Sequence, residues 1–249
     1  NIVDANAFTK PIYFAVTVGP DNMMGLRPYL QMQGLAYEIN PHTIDPDSSI
    51  DIDKTVYYLD KVYRFRGLGS DNTHLNETTS KLLSNYSAAF LQIGLTLRRP
   101  LSEMKNRIAS LGETLEQTSG AEREAAEAAL DSVSAEYEQT LALVTGKLGQ
   151  CVGIMPWDWR PRMFRHEILM AHDRFATAEQ RAREALEIDP DRAEYLQMLA
   201  QSLERQDKKG EANAVLRTLS GSGDMDPWFT AMTMARNYEQ MGHLDSAVE

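Results

Sequence analysis

Apolar and polar positions follow three different rhythms along this chain, and each rhythm predicts a different kind of structure. Residues 1–75 hold the strand-like stretches. Ile12 to Val18 is a mostly apolar run of the kind that forms a buried strand, and Gly19-Pro20-Asp21-Asn22 is a turn signal. A short helix is expected next, with Pro28 tolerated near its start and Gly34 ending it. Leu35 to Ile39 then reads as a second strand stopped by Pro41. From Asp51 onward Ile52, Val56, Leu59, Val62 and Tyr63 fall at helical spacing, with Asp51 as the expected N-cap. The stretch reads as a small α/β module.

Residues 76–156 carry only helical periodicity. A helix is expected over Glu77 to Leu97, broken or kinked at Arg98-Arg99-Pro100. Met104, Ile108, Leu111 and Leu115 recur at spacings of three and four before Thr118-Ser119-Gly120. Ala126, Leu130, Val133, Tyr137, Leu141 and Val144 do the same after it, which predicts an antiparallel helical hairpin with a narrow apolar seam. Its Glu- and Ala-rich remainder marks solvated faces, the pattern of a structural spacer.

Residues 157–249 repeat with a period near 34. Ala178, Ala212 and Ala247 recur in register, and Asp173, Asp207 and Gly242 stand five residues before them at expected turns. Ala200 and Ala235 take the position where paired helices approach closely, with Leu203 and Tyr238 three residues later. This resembles the tetratricopeptide pattern of stacked helix pairs. The first unit departs from it by placing His166 at the close-approach position, and the last stops at Glu249 soon after its second helix begins. The expected fold class is therefore α+β, mostly α: the α/β module, the hairpin, then a tetratricopeptide-like α–α superhelix whose last unit is truncated.

Composition narrows the functions. The net charge of −11 repels phosphate backbones and anionic lipid surfaces, so nucleic acid is not an expected partner. The single cysteine, Cys151, excludes an intrachain disulfide and a thiolate metal cluster, and reads as a small core residue. No apolar run approaches the roughly 20 residues that span a bilayer, so this stretch is not expected to be membrane-embedded. The chain starts at Asn1 rather than Met and reads as a piece excised from a longer protein.

Candidate chemistry is sparse. Asp45, Asp47, Ser49, Asp51 and Asp53 copy the alternate spacing of a calcium loop, but Ile50 and Val56 stand where its glycine and closing glutamate belong. The aspartates then read as a solvated loop that caps a helix. His42, His74, His166, His172 and His243 show no ligand spacing. No phosphate loop, nucleophile elbow or zinc-protease helix is present. No catalytic residue, cofactor or metal is expected. Trp157-Asp158-Trp159-Arg160-Pro161-Arg162 reads chiefly as a packing seam, with a binding hot spot as the alternative.

Residues 6–41, and above all Pro11-Ile12-Tyr13-Phe14-Ala15-Val16-Thr17-Val18 with the following Gly34-Leu35-Ala36-Tyr37-Glu38-Ile39-Asn40-Pro41, resemble a segment of one family of bacterial multi-pass membrane proteins. These are lipid-linked-sugar glycosyltransferases related to the eukaryotic protein O-mannosyltransferases. Asn76-Glu77-Thr78 and Asn85-Tyr86 extend the resemblance weakly, while the long hairpin has no counterpart in it. The resemblance implies a periplasmic, non-catalytic region on the extracytoplasmic face of the inner membrane, attached to a membrane-anchored parent whose catalytic acids lie elsewhere. It would bind or position an acceptor polypeptide or a partner protein; a stand-alone helical-repeat adaptor is the alternative. The repeat register places Arg160, Met163 and Glu167, then Glu194, Gln197, Gln201 and Arg205, then Phe229, Met232 and Arg236 along a concave groove. Such a mixture of amides, arginines and adaptable apolar groups suits an extended peptide.

Overall fold

The computed structural model describes residues 2–70, 75–222 and 227–241. It is α+β and mostly helical, and divides into two compact units, Asn1–Pro161 and Arg162–Glu249.

The first unit opens with a short helix, α1 (Ile2–Asn6), and a three-stranded antiparallel sheet of β1 (Tyr13–Ala15), β2 (Leu30–Gln33) and β3 (Ala36–Ile39) in the order β1-β3-β2. The expected strand over Ile12–Val18 is shorter because the chain turns at its end, where the Val18 amide bonds the Ala15 carbonyl at 3.0 Å. The expected turn at residues 19–22 tightens into a 3-10 helix, Pro20–Met23. The helix expected before Gly34 is absent. Pro28 sits in a single 3-10 turn, Arg27–Tyr29, and the alternation Leu30-Gln31-Met32-Gln33 is a strand rhythm that puts Leu30 and Met32 on the core face.

Gly34 therefore ends no helix. It occupies the first position of a two-residue hairpin turn at φ +63°, which glycine adopts without strain. The Thr55 hydroxyl accepts the Gly34 amide and the Tyr63 hydroxyl accepts the Leu35 amide, each at 3.0 Å. Those side chains come from α2 (Ile52–Tyr57), capped by Asp51 on the Lys54 amide at 2.9 Å, and from the residue after the π turn Tyr58–Val62.

Two long helices complete this unit: α3 (Glu77–Gln117) and α4 (Ala121–Ile154), the antiparallel hairpin turning at residues 118–120. Val133, Tyr137, Leu141 and Val144 line the buried stripe of α4, as its periodicity requires. The break expected at Pro100 does not occur: α3 runs through it. Proline leaves one helical hydrogen bond unmade there, yet Leu101 is fully buried and the half-buried stripe of Met104, Ile108, Leu111 and Leu115 continues the packing on α4, which holds the helix continuous. The module and the hairpin share one core: Met32, Ile50, Leu59, Phe90, Ile93, Cys151 and Met155.

The second unit is helical and repeat-like. It contains α5 (Arg160–Ala171, beginning two residues before the unit boundary), α6 (Phe175–Ile188), α7 (Ala193–Glu204), α8 (Lys209–Ser222) and α9 (Pro227–Gln240). From α6 onward each helix packs on the next. Asp173 and Asp207 both adopt left-handed backbone at φ 59° and 61°, so the 34-residue repeat of the sequence is also a repeat of turn geometry. Ala178, Ala182, Ala200 and Ala212 are buried where small residues let helices approach, while Ala235 is half-buried. Gly242 and Ala247 lie outside the described residues.

Candidate functional site

The groove positions inferred from the repeat register fare differently. Arg160 belongs to the first unit, where Asp158 holds it through Nε at 2.8 Å and Nη2 at 2.7 Å. Burial alone would raise the Asp158 carboxyl, but the Arg160 guanidinium and the Ser87 hydroxyl that donates to it outweigh that and hold it below the usual carboxylate range. A carboxylate so neutralised is a poor base. The cluster satisfies the Arg160 amide at 3.1 Å and pins the start of α5. Trp157 and Trp159, flanking Asp158, are each about two-fifths exposed, so they are not fully sealed into a core.

Within the second unit Met163 is half-buried against the cluster built on Tyr195, Met198 and Leu199. Arg205 turns toward the α5–α6 junction, with its guanidinium 4.4 Å over the Phe175 ring and 3.6 Å from Asp173. Arg236 reaches back from α9 to Glu204 of α7 at 3.8 Å. Glu167 and Gln201 are exposed, Gln197 is half-buried, and Glu194 is half-buried 4.0 Å from Arg192. Met232 is 49 % exposed, a bare apolar group on α9. The Phe229 side chain lies outside the described residues. The positions open to a ligand are thus Glu167, Gln201 and Met232, with Gln197 half-buried and Arg236 exposed but paired with the half-buried Glu204.

A second charged group in this unit is built into the fold. Lys208, Arg183 and Gln206 surround Glu179 at 2.7, 2.9 and 2.9 Å. Burial opposes its ionisation, but these three donors prevail and bring its carboxyl down to about 2. It ties α6 to the α7–α8 turn.

Sequence reasoning missed a cavity of about 370 Å³ on the apolar face of the sheet. Val16, Val18, Met23, Leu30, Met32, Tyr37 and Ile50 give it apolar walls, and Arg27, Ser49 and Gln92 are its polar members. None of the described residues lining it is a carboxylate, histidine or cysteine, so it offers no acid–base pair. The only sequence signal was the lone Arg27 between Leu26 and Pro28. The aspartates of the acidic loop act locally: Asp45 accepts the Asp47 amide at 2.8 Å and Asp51 caps α2.

These features define a mostly helical α+β protein with a small antiparallel sheet and a helical repeat-like second unit. Residues 1–56, which contain the whole sheet and most of the cavity lining, match the family model described as TMEM260-associated domain 2. No curated protein matches the chain. No helix among the described residues is long and apolar enough to cross a membrane.

Proposed function

We propose that this chain is a non-catalytic, extracytoplasmic region of a glycosyltransferase-like membrane protein, and that it binds or positions an acceptor polypeptide or a partner protein beside the membrane active site. The observation that carries this reading is the match of residues 1–56 to a TMEM260-associated domain, over the same segment whose residues resemble the lipid-linked-sugar glycosyltransferases. The repeat-like second unit supports it. We read it as tetratricopeptide-like, with Gln197, Gln201, Met232 and Arg236 presented to an extended chain. Amides and an exposed arginine recognise peptide backbone and acidic side chains, and a bare methionine adapts to varied apolar ones.

The test uses the full-length parent in its native membrane. Gln197→Ala with Arg236→Ala should lower sugar transfer to polypeptide while leaving folding nearly unchanged, because the Arg236 guanidinium is exposed, its contact with the half-buried Glu204 is long at 3.8 Å and worth about 1 kcal/mol or less, and Glu204 keeps its bond from Asn237. Undiminished transfer by the folded double variant overturns the groove reading. The competing reading, a stand-alone helical-repeat adaptor, requires that the gene encode no set of hydrophobic helices upstream of this region.

A further inference from the structure

The two edges of the sheet are treated differently. Beside β2, the Met32 amide donates to the Ser49 carbonyl at 2.8 Å and the Asp51 amide donates to the Met32 carbonyl at 2.9 Å. A parallel bridge from Met32 to Ile50 thus closes that edge. Beside β1, nothing among the described residues does the same. The register pairs Tyr13 with Glu38, Phe14 with Tyr37 and Ala15 with Ala36. The bonds that flank β1 fall on Ile12, whose carbonyl accepts the Ile39 amide, and on Val16, whose amide donates to the Leu35 carbonyl. Antiparallel ladders alternate, so Phe14 also faces β3 while Tyr13 and Ala15 aim their backbone groups outward. The Ala15 carbonyl is taken by Val18. What remains is a row of Tyr13 N–H, Tyr13 C=O and Ala15 N–H: donor, acceptor, donor.

We propose that β1 is a docking edge for an extended peptide, which adds as a fourth strand. This rests on the reading that the region holds polypeptide, and names how. Only extended backbone supplies acceptor, donor and acceptor at strand spacing to answer that row. The faces of the sheet set the peptide's pattern. A residue opposite Phe14 falls on the apolar face, beside Phe14 and Val16, and takes an aliphatic side chain. Residues opposite Tyr13 and Ala15 fall on the face of Glu38 and Lys54, and take polar ones. Lys10, exposed and without an ion pair among the described residues, favours an acidic residue at that end. The occupant is an acidic-tipped peptide of alternating polar and aliphatic residues.

The experiment titrates the isotope-labelled 249-residue chain with acetyl-Glu-Val-Ser-Val-Thr-Val-amide, following backbone amides by NMR and hydrogen exchange. The Tyr13 and Ala15 amides should exchange readily alone and slow by about tenfold or more at saturation, the scale of one backbone hydrogen bond. Ala15→Pro should weaken binding by about tenfold or more, yet fold normally, because an outward edge amide takes no part in the ladder. Retained protection of the Phe14, Val16 and Ile39 amides in that variant demonstrates that β1 is still paired. The peptide lies parallel to β1, which brings its N-terminal Glu toward Lys10 and its central valine opposite Phe14, so that this valine's N–H meets the Tyr13 carbonyl; N-methylation there should have the same effect as the proline. Absence of peptide binding, or equal binding by Ala15→Pro, overturns the proposal. Peptide that binds instead along α7 and α9, and is lost with Gln197→Ala and Arg236→Ala, overturns strand addition while leaving polypeptide recognition by the second unit standing.

Discussion

His166 should make the second unit lose stability in mild acid. The side chain is 3 % exposed, it is hydrogen-bonded to the Met198 backbone, and its Nε2 has no partner among the described residues. Protonation would put a charge on a nitrogen that is buried from solvent and has no acceptor among the described residues. Burial accordingly pushes its pKa from 6.5 down to about 4, the Met198 bond offsetting only part. The unfolded chain then binds the proton more readily than the folded one, so stability is complete above the ordinary histidine range and falls as the pH drops from 6.5 to 4. A shift of that size corresponds to about 3 kcal/mol in total, most of it gone by about pH 4.5.

Amide exchange of α7, measured by mass spectrometry between pH 7 and 4.5 and corrected for intrinsic rates, reports this opening energy. His166→Gln removes the titration, so its profile should be flatter through the window, whatever its stability at neutral pH. The carboxyl of Glu179 works in the same sense but lower down: its folded pKa is depressed to about 2, so its contribution is lost only as the pH falls below its ordinary 4.5. Identical slopes for the native chain and His166→Gln between pH 6.5 and 4.5 would refute the reasoning.

Two further substitutions probe the first unit. Gly34→Ala should destabilise it by about 2–4 kcal/mol in urea denaturation, through positive-φ strain and displacement of the Tyr63 hydroxyl, which lies 2.5 Å from the new Cβ; a loss under about 0.5 kcal/mol would mean that the hairpin turn tolerates a side chain. Pro100→Ala should stabilise α3 by about 1–3 kcal/mol by restoring the helical hydrogen bond that proline denies, visible as a raised denaturation midpoint.

Much of the architecture was legible in sequence because it depends on local rhythm. The helical stripes of α3 and α4 follow from spacings of three and four, which a helix imposes on its own residues. The repeat followed from Asp173 and Asp207, since a tight turn between helices calls for a residue that accepts left-handed backbone, and both do. The Asp51 cap was legible for the same reason: an N-cap is a bond between neighbours in sequence. Among the groove positions, Glu167, Gln197, Gln201 and Met232 were readable as surface, but the engagement of Arg160 by Asp158 and of Arg205 by Phe175 was not. A long arginine reaches several elements, and only the packed fold selects among them.

Tertiary structure decided whatever depended on a distant partner. Pro100 signals a break, and Gly34 a helix end, when each is read alone. Burial of Leu101 carries the helix past the proline, and the hydroxyls of Thr55 and Tyr63 turn the glycine into a hairpin tip. The cavity, signalled in sequence by Arg27 alone, and the open edge of β1 likewise depend on distant partners. The cavity is space left between elements, and the edge is defined by which neighbour closes β2 and leaves β1 open among the described residues. Side-chain periodicity specifies which face of an element is buried, whereas register and packing alone decide which backbone groups are left to meet another chain.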